Sequence, residues 1–134
     1  MINELDNPEA QELLAEPNFA VVSSQNQDGS ILSTVTWIDY VDGVLAVNSM
    51  AGRKWPRNLE RDPSITALVM DMKTGHRFVE IRGTAAGTFD GAVDHIERLS
   101  RKYTGHAYSW PSGRDVRRQT FFITPVLTRY VRIG

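Results

Sequence analysis

Arginine and lysine stand side by side at positions 53 and 54, directly after Gly52 and just before Pro56. The stretch from Ala46 to Pro63 predicts the end of a strand, a glycine turn carrying two cations, and a short helix that Pro56 opens. A helix start offers unbonded backbone N–H groups and the positive end of the helix dipole. Arg53 and Lys54 arrive there as charged donors, and a guanidinium can fork onto two oxygens of one phosphate. That is chemistry for a phosphorylated ligand. The same residues also suit a solvated helix face, with Arg57, Glu60 and Arg61 as i,i+3 and i,i+4 pairs, and spacing alone leaves both alternatives open.

Few other side chains could act on a substrate. His76, His95 and His106 share neither metal-ligand spacing nor an acidic cluster, so no metal is expected. His95 falls among the charged positions of its predicted helix and reads as solvated surface, whereas His76 and His106 sit beside loops. Ser109 and Ser112 lack a G-x-S-x-G elbow, and the absence of cysteine excludes thiolate zinc sites and thiol nucleophiles. The glycines at 83 and 87 lack the spacing of a phosphate loop and read as bends. Tyr108 and Trp110 suit either a pocket lid or plain packing on the fold. With no catalytic acid, base or nucleophile in evidence, the residues suit a protein that leaves the chemistry to a cofactor, which it binds and orients.

The 134 residues are of a length for one domain, 1–134, and 15 basic against 16 acidic residues give a formal net charge of −1. Neither nucleic acid nor a membrane is an expected partner, and any anion site must be a local patch. The amino terminus shows no secretory leader and no apolar run is long enough to span a bilayer, so a cytoplasmic protein is expected.

The elements that must position the basic turn are mostly strands. Asn7 and Pro8 signal a helix start, with Ala10, Leu13 and Leu14 on one side and a stop before Pro17. Phe19 to Ser24, Ile31 to Tyr40 and Val44 to Ser49 predict a three-stranded meander with turns at Asn26–Gly29 and Asp42-Gly43. Ile65 to Met72 carries apolar residues on both alternating faces and predicts a strand covered on both sides, one by the barrel interior and the other by a helix or a second subunit. Phe78 to Phe89 predicts a strand bent at Gly83 and Gly87. Asp90 is expected to cap a helix with Val93, Ile96, Leu99 and Tyr103 as its apolar stripe, Asp94–Arg98 and Glu97–Arg101 as supporting pairs, and Gly105 as its end. A loop from His106 to Arg114 leads to a strand from Thr120 to Ile133, where Pro125 implies an edge or a bulge. Six or so strands with glycine bends, and too few helices for a parallel sheet, favour a mainly β, small antiparallel barrel with helices packed outside.

The Asp28-Gly29 and Asp42-Gly43 turns, the basic segment ending Arg57-Asn58-Leu59-Glu60-Arg61-Asp62-Pro63, and Arg77-Phe78-Val79-Glu80-Ile81-Arg82-Gly83 together resemble the split β-barrel flavin and deazaflavin oxidoreductases. This is the pyridoxamine 5'-phosphate oxidase-like superfamily, and the resemblance is to its short actinobacterial members that use coenzyme F420. It runs over about residues 10 to 133. The resemblance implies a homodimer with two cofactor sites at the interface, each phosphate held by one subunit's basic turn and the ring laid along the second and third strands. Asn48, Ser49, Arg53 and Lys54 match the phosphate-binding positions, and Asn58 belongs to the matched segment. Thr34, Val35 and Thr36 match the strand facing the ring, and His76 and Arg77 the stretch that reaches in from the other subunit. Arg57 and Arg61, one turn apart, would extend a basic track toward the anionic tail of F420. Where many relatives carry a lysine, this chain has Trp55, for which packing on the cofactor or the partner is implied. The implied activity is hydride transfer to a flat, electron-poor small-molecule substrate such as a quinone, an unsaturated lactone or a biliverdin-like tetrapyrrole. An FMN-dependent enzyme of the same fold and a non-catalytic flavin- or deazaflavin-binding module are the alternatives.

Overall fold

The computed structural model describes residues 3–111 and 117–133. Helix α1 (Pro8–Ala15) leads into strands β1 (Ala20–Gln25), β2 (Ile31–Thr36), β3 (Ile38–Val41) and β4 (Val44–Met50). After helix α2 (Lys54–Arg61) come β5 (Ser64–Met70), β6 (Arg77–Thr88), helix α3 (Ala92–Thr104) and β7 (Arg118–Arg132). All seven strands form one antiparallel sheet in the order β2-β1-β5-β6-β7-β4-β3. No helix among the described residues is long and apolar enough to cross a membrane.

The strand order dictates the shape. β2 and β3 lie at opposite edges of the sheet, yet only Trp37 separates them in the chain. Laid flat, six inter-strand spacings of about 4.8 Å would hold the edges about 29 Å apart. Two residues of chain reach only about 7 Å. The sheet therefore rolls until its edges meet at Trp37, giving a barrel whose seam is bridged by the chain and not by strand pairing. This corrects the expected meander: Ile31 to Tyr40 is broken at Trp37, and the β1–β2 and β3–β4 hairpins belong to opposite edges.

The C-terminal end of α3 holds the break in place. Trp37 stacks on Tyr103 with ring centroids 5.3 Å apart, and Phe19 stacks on the same ring at 5.8 Å. The Tyr103 hydroxyl donates to the Asn18 carbonyl at 2.6 Å and accepts from the Ile38 N–H at 3.1 Å. Lys102 Nζ donates to the Leu14 and Ile38 carbonyls at 2.6 Å each. Burial lowers the Lys102 ammonium to about 8, against the opposing pull of Asp39, and burial raises the Tyr103 phenol to about 12.

Local chemistry explains most of the elements. Asn7 caps α1, its Oδ1 accepting from the Glu9 N–H at 2.9 Å, and Ala10, Leu13 and Leu14 are buried as expected. Asp42 and Gly43 both take positive φ, 52° and 78°, the backbone of a two-residue type I′ hairpin turn. In β5, Ile65, Ala67 and Val69 face the core, while Leu68 and Met70 are exposed, so the single chain covers only one of the two faces. α3 is capped by Gly91 at φ 72° and not by Asp90, and it ends at Gly105 as expected. Its buried face is Ala92, His95, Ile96, Leu99 and Ser100, with Val93 exposed. Arg98 and Glu97 turn to other partners and not to the expected helical pairs.

Pro125 lies in β7, an interior strand, at a bulge. The β6–β7 register passes from Arg82 opposite Leu127 to Gly83 opposite Pro125, leaving Val126 as the extra residue. A Cβ on Gly83 would lie 2.1 Å from the Thr124 carbonyl oxygen. The glycine thus lets two backbones meet where the sheet bends. Gly83→Ala should cost about 1–3 kcal/mol or more, as overpacking against rigid backbone does. Urea unfolding would register this as a lower midpoint, and an unchanged midpoint would contradict the close approach.

Candidate functional site

Rolling the sheet opens a cleft of about 270 Å³ along the seam. Thr34, Val35 and Thr36 of the edge strand β2, with Trp37 directly after it, form one wall. β2 pairs only with β1, so its outer backbone groups are available to a ligand. The facing wall comes from Asn48, Ser49 and Met50 at the end of β4, followed by Arg53 and Trp55. Ile96 and Leu99 of α3 add an apolar patch, and Tyr108 and Arg118 complete the lining. The volume is just under the roughly 300–1,000 Å³ typical of small-molecule sites, as suits a cleft that one chain leaves open on one side.

Gly52, at φ 86°, turns the chain from β4 into α2. Arg53 is the N-cap residue, and no side-chain hydrogen bond caps the helix. The first-turn N–H groups of Lys54 and Trp55 are thus uncapped by any side chain, beside a cleft that Arg53 lines. Trp55 is buried with its ring 5.6 Å from Phe121, so it packs on its own chain's core while presenting part of its surface to the cleft.

Some residues expected at the site lie elsewhere. Lys54 and Arg57 are exposed and do not line the cleft. Asn58, 3% exposed, donates to Ser24 Oγ at 3.1 Å and Asn26 Oδ1 at 2.9 Å, which pins α2 to the turn after β1. Arg61 joins that pin by donating to the Gln25 carbonyl, and Glu60 accepts from Gln119. The expected Arg57–Glu60–Arg61 pairing is therefore absent from the ion pairs of the described residues. His76 is exposed in the β5–β6 hairpin. Arg77 is bound within its own chain, 3.0 Å from Asp71, 3.4 Å from Glu12 and 3.8 Å from Glu16. The hydrogen bond to Asp71 holds its guanidinium above the usual range. Of the aromatic loop, Tyr108 lines the cleft; His106 and Trp110 do not. Trp110 packs edge-on against Tyr108 at 4.9 Å, and Glu97 accepts from both Trp110 Nε1 and the Tyr108 N–H. Ser109 is exposed, and Ser112 to Arg114 fall outside the described residues.

The largest correction is His95. It is 4% exposed, not solvated: Nε2 lies 3.2 Å from Asp39 Oδ1, and Nδ1 lies 3.0 Å from Thr120 Oγ1 and 3.1 Å from Asn48 Nδ2. The signal was present, because His95 is three residues after Ala92 and four before Leu99, on the face those residues bury. Asp39, 3% exposed, also accepts from Arg98 Nε at 2.8 Å. Burial pushes its carboxyl up, but the hydrogen bonds from His95 and Arg98 outweigh burial and leave it below the ordinary aspartate range.

Arg118, which the sequence did not single out, is 8% exposed. Its Nε donates to Asn48 Oδ1 at 2.8 Å, and Nη1 donates to the Tyr108 hydroxyl at 3.3 Å. Burial lowers its guanidinium; Tyr108 opposes that shift and the nearby Arg53 adds to it. Among the described residues, no cluster of three or more His, Asp or Glu is arranged to hold a metal.

The sequence matches the pyridoxamine 5'-phosphate oxidase family over residues 7–131. The chain belongs to this family. Its members are split-barrel oxidoreductases that bind flavins or deazaflavins. No curated protein matches the sequence. Among solved structures, an F420 reductase superposes with a TM-score of 0.78 at 20% identity, over 89% of this chain and 94% of that one. A conserved hypothetical protein of Mycobacterium tuberculosis, Rv2991, gives 0.75 at 21% identity, over 94% and 84%. General Stress Protein 26 of Bacillus anthracis gives 0.71 at 17% identity, over 96% and 95%. At such identities the likeness establishes the split-barrel fold of this family member.

Asp39→Asn should remove the anion that holds His95 and Arg98, at a cost of about 1–3 kcal/mol near neutral pH. Because the folded carboxyl titrates below its unfolded value of about 3.9, this stability is present above pH 4 and disappears as pH falls through the depressed pKa. Unfolding free energies at pH 7 and pH 3 should therefore show a gap between wild type and variant that narrows in acid. A gap independent of pH would contradict the assignment.

Proposed function

We propose that this protein is an oxidoreductase that binds coenzyme F420 in the seam cleft of a homodimer and reduces a flat, electron-poor small molecule. One observation carries the reading: the cleft joins an open strand edge to an uncapped helix start bearing Arg53. An open edge suits the polar rim of a planar heterocycle, and an uncapped N-terminus beside a guanidinium suits a phosphate. The residues present fit the group.

Arg53, the α2 N–H groups and Ser49 would hold the phosphate, and Thr34, Val35 and Thr36 would lie along the ring. When bound, F420 supplies the hydride for acceptors such as a quinone, an unsaturated lactone or a biliverdin-like tetrapyrrole. The chain contributes position and dryness: Trp37, Ile96 and Leu99 exclude water from one end, and the rigid sheet fixes the distance between ligand and wall. Arg57 on the exposed side of α2 would meet the anionic tail.

The dimer has support of its own. Val35, Val21 and Leu68 lie side by side across β2, β1 and β5, all exposed, and Met70 continues the patch. Val35 belongs to this outer row and also lines the cleft with its neighbours Thr34 and Thr36, so a partner on this face would border the site. His76 and Arg77 of that partner are the residues proposed to reach toward it.

Titration with F420 and FMN, read by quenching of Trp37 and Trp55, should show tighter binding of F420, and the complex should reduce an added acceptor. Arg53→Ala should weaken binding by about 1.5–3 kcal/mol with the fold intact. Arg57→Ala should weaken F420 selectively by about 0.5–1 kcal/mol, the size of an exposed ion pair, and added salt should weaken F420 more than FMN. Preference for FMN would make this an FMN enzyme, and binding without turnover would make it a non-catalytic binding module. Light scattering at micromolar concentration should give a dimer; a monomer that binds cofactor fully would rule out an interface site.

A further inference from the structure

Among the described residues, the buried guanidinium of Arg118 has no carboxylate beside it. Arg118 makes no ion pair among the described residues, and its bonds go to two neutral acceptors, Asn48 Oδ1 and the Tyr108 hydroxyl. Leaving a desolvated cation in that state is costly. Arg53 lines the same cleft and is close enough to depress the Arg118 guanidinium further. One oxyanion between the two would relieve both the desolvation of Arg118 and the repulsion.

Arg118 is also held in place from behind. Asn48 Nδ2 has the Ala92 carbonyl at 3.0 Å, His95 Nδ1 at 3.1 Å and Thr120 Oγ1 at 3.2 Å around it, so its N–H side faces α3. Its oxygen then faces Arg118. Reversing the amide would set oxygen against the Ala92 carbonyl and N–H against the guanidinium, so the two donor–acceptor patterns permit one orientation only. With Nδ1 accepting, the imidazole proton sits on Nε2, aimed at Asp39, whose other oxygen is held by Arg98. The line from Asp39 through His95 and Asn48 to Arg118 crosses β3, α3, β4 and β7.

We infer that Arg53 and Arg118 close from two sides on one phosphate oxyanion of the ligand, and that Asp39, His95 and Asn48 position Arg118 for it. Arg118 is the binding residue; His95 acts through Asn48 as a positioning residue. The inference deepens the cofactor reading above and rests on it for the identity of the phosphate's carrier.

The test compares ligands that differ by their phosphate: FMN with riboflavin, and F420 with its phosphate-free deazaflavin core, each titrated against tryptophan fluorescence. Arg118→Gln should weaken the phosphorylated member at least tenfold and leave the phosphate-free one within twofold. His95→Ala should erode the same selectivity several-fold, and His95→Asn, whose amide oxygen can accept the Asn48 N–H as Nδ1 does, should restore most of it. A purely structural role would weaken both members of each pair alike, and that result overturns the inference. Arg53→Gln is exposed and carries no folding risk; combined with Arg118→Gln it should cost less than the product of the two single effects, because both act on one anion. Should none of the four ligands bind the wild type, the cofactor reading falls, and calorimetry with inorganic phosphate still decides the subsite. Phosphate bound by the wild type and lost in Arg118→Gln supports it, and no difference between the two refutes it.

Discussion

Two strands that follow one another with a single residue between them, yet occupy opposite edges of a seven-stranded sheet, have no flat solution. Trp37 is where that constraint is met. The sheet rolls, the seam stays open because β2 and β3 do not pair, and α3 ties it together through Tyr103 and Lys102. The cleft is a consequence of the roll: the unpaired edge of β2 comes to face the end of β4 and the start of α2. Lys102 is partly desolvated to make the tie, which is why its ammonium is weakened to about 8 while both of its carbonyl partners lie within 2.6 Å.

The two walls differ in chemistry because they differ in construction. β2 offers short hydroxyl side chains and unpaired backbone, suited to a planar ring. The β4–α2 turn offers the Arg53 guanidinium and uncapped N–H groups, suited to an anion. Beneath the second wall lies a buried polar row, Asp39, His95, Asn48, Thr120 and Arg118, where a small barrel could have placed aliphatic core. Buried ionic groups are weak contributors to stability compared with well-packed apolar ones. Their yield here is geometric, since each member has its acceptor or donor and the row admits one arrangement.

Membership of a flavin- and deazaflavin-binding family is consistent with the paucity of catalytic side chains in the cleft. The long β6–β7 pair, bent once at Gly83 and Pro125, lies in the middle of the sheet whose two ends carry the walls of the cleft. The outward apolar row on β2, β1 and β5 is a further product of the same sheet: one face of each strand fills the barrel, and the other is exposed.

Features decided within a few residues of chain were legible in the sequence. The Asn7 cap, the Asp42-Gly43 hairpin, the glycine bend at 83, the Gly105 helix end and the basic turn at Arg53 each follow from local backbone chemistry. Part of the cleft was also named from the sequence, Arg53 by its turn and Thr34 to Thr36, Asn48, Ser49 and Trp55 by resemblance to the motifs of the family. Tertiary structure decided the rest. Whether Ile31 to Tyr40 is one strand or two depends on strands nearly a hundred residues away in the chain, and the burial of His95 depends on a carboxylate brought from β3. Asn58 proved to be a pin and Arg118 a wall of the cleft because their partners lie 34 and 70 residues distant. A side chain's type sets what bonds it can make; only the closing of the barrel sets which partners are within 3 Å to make them.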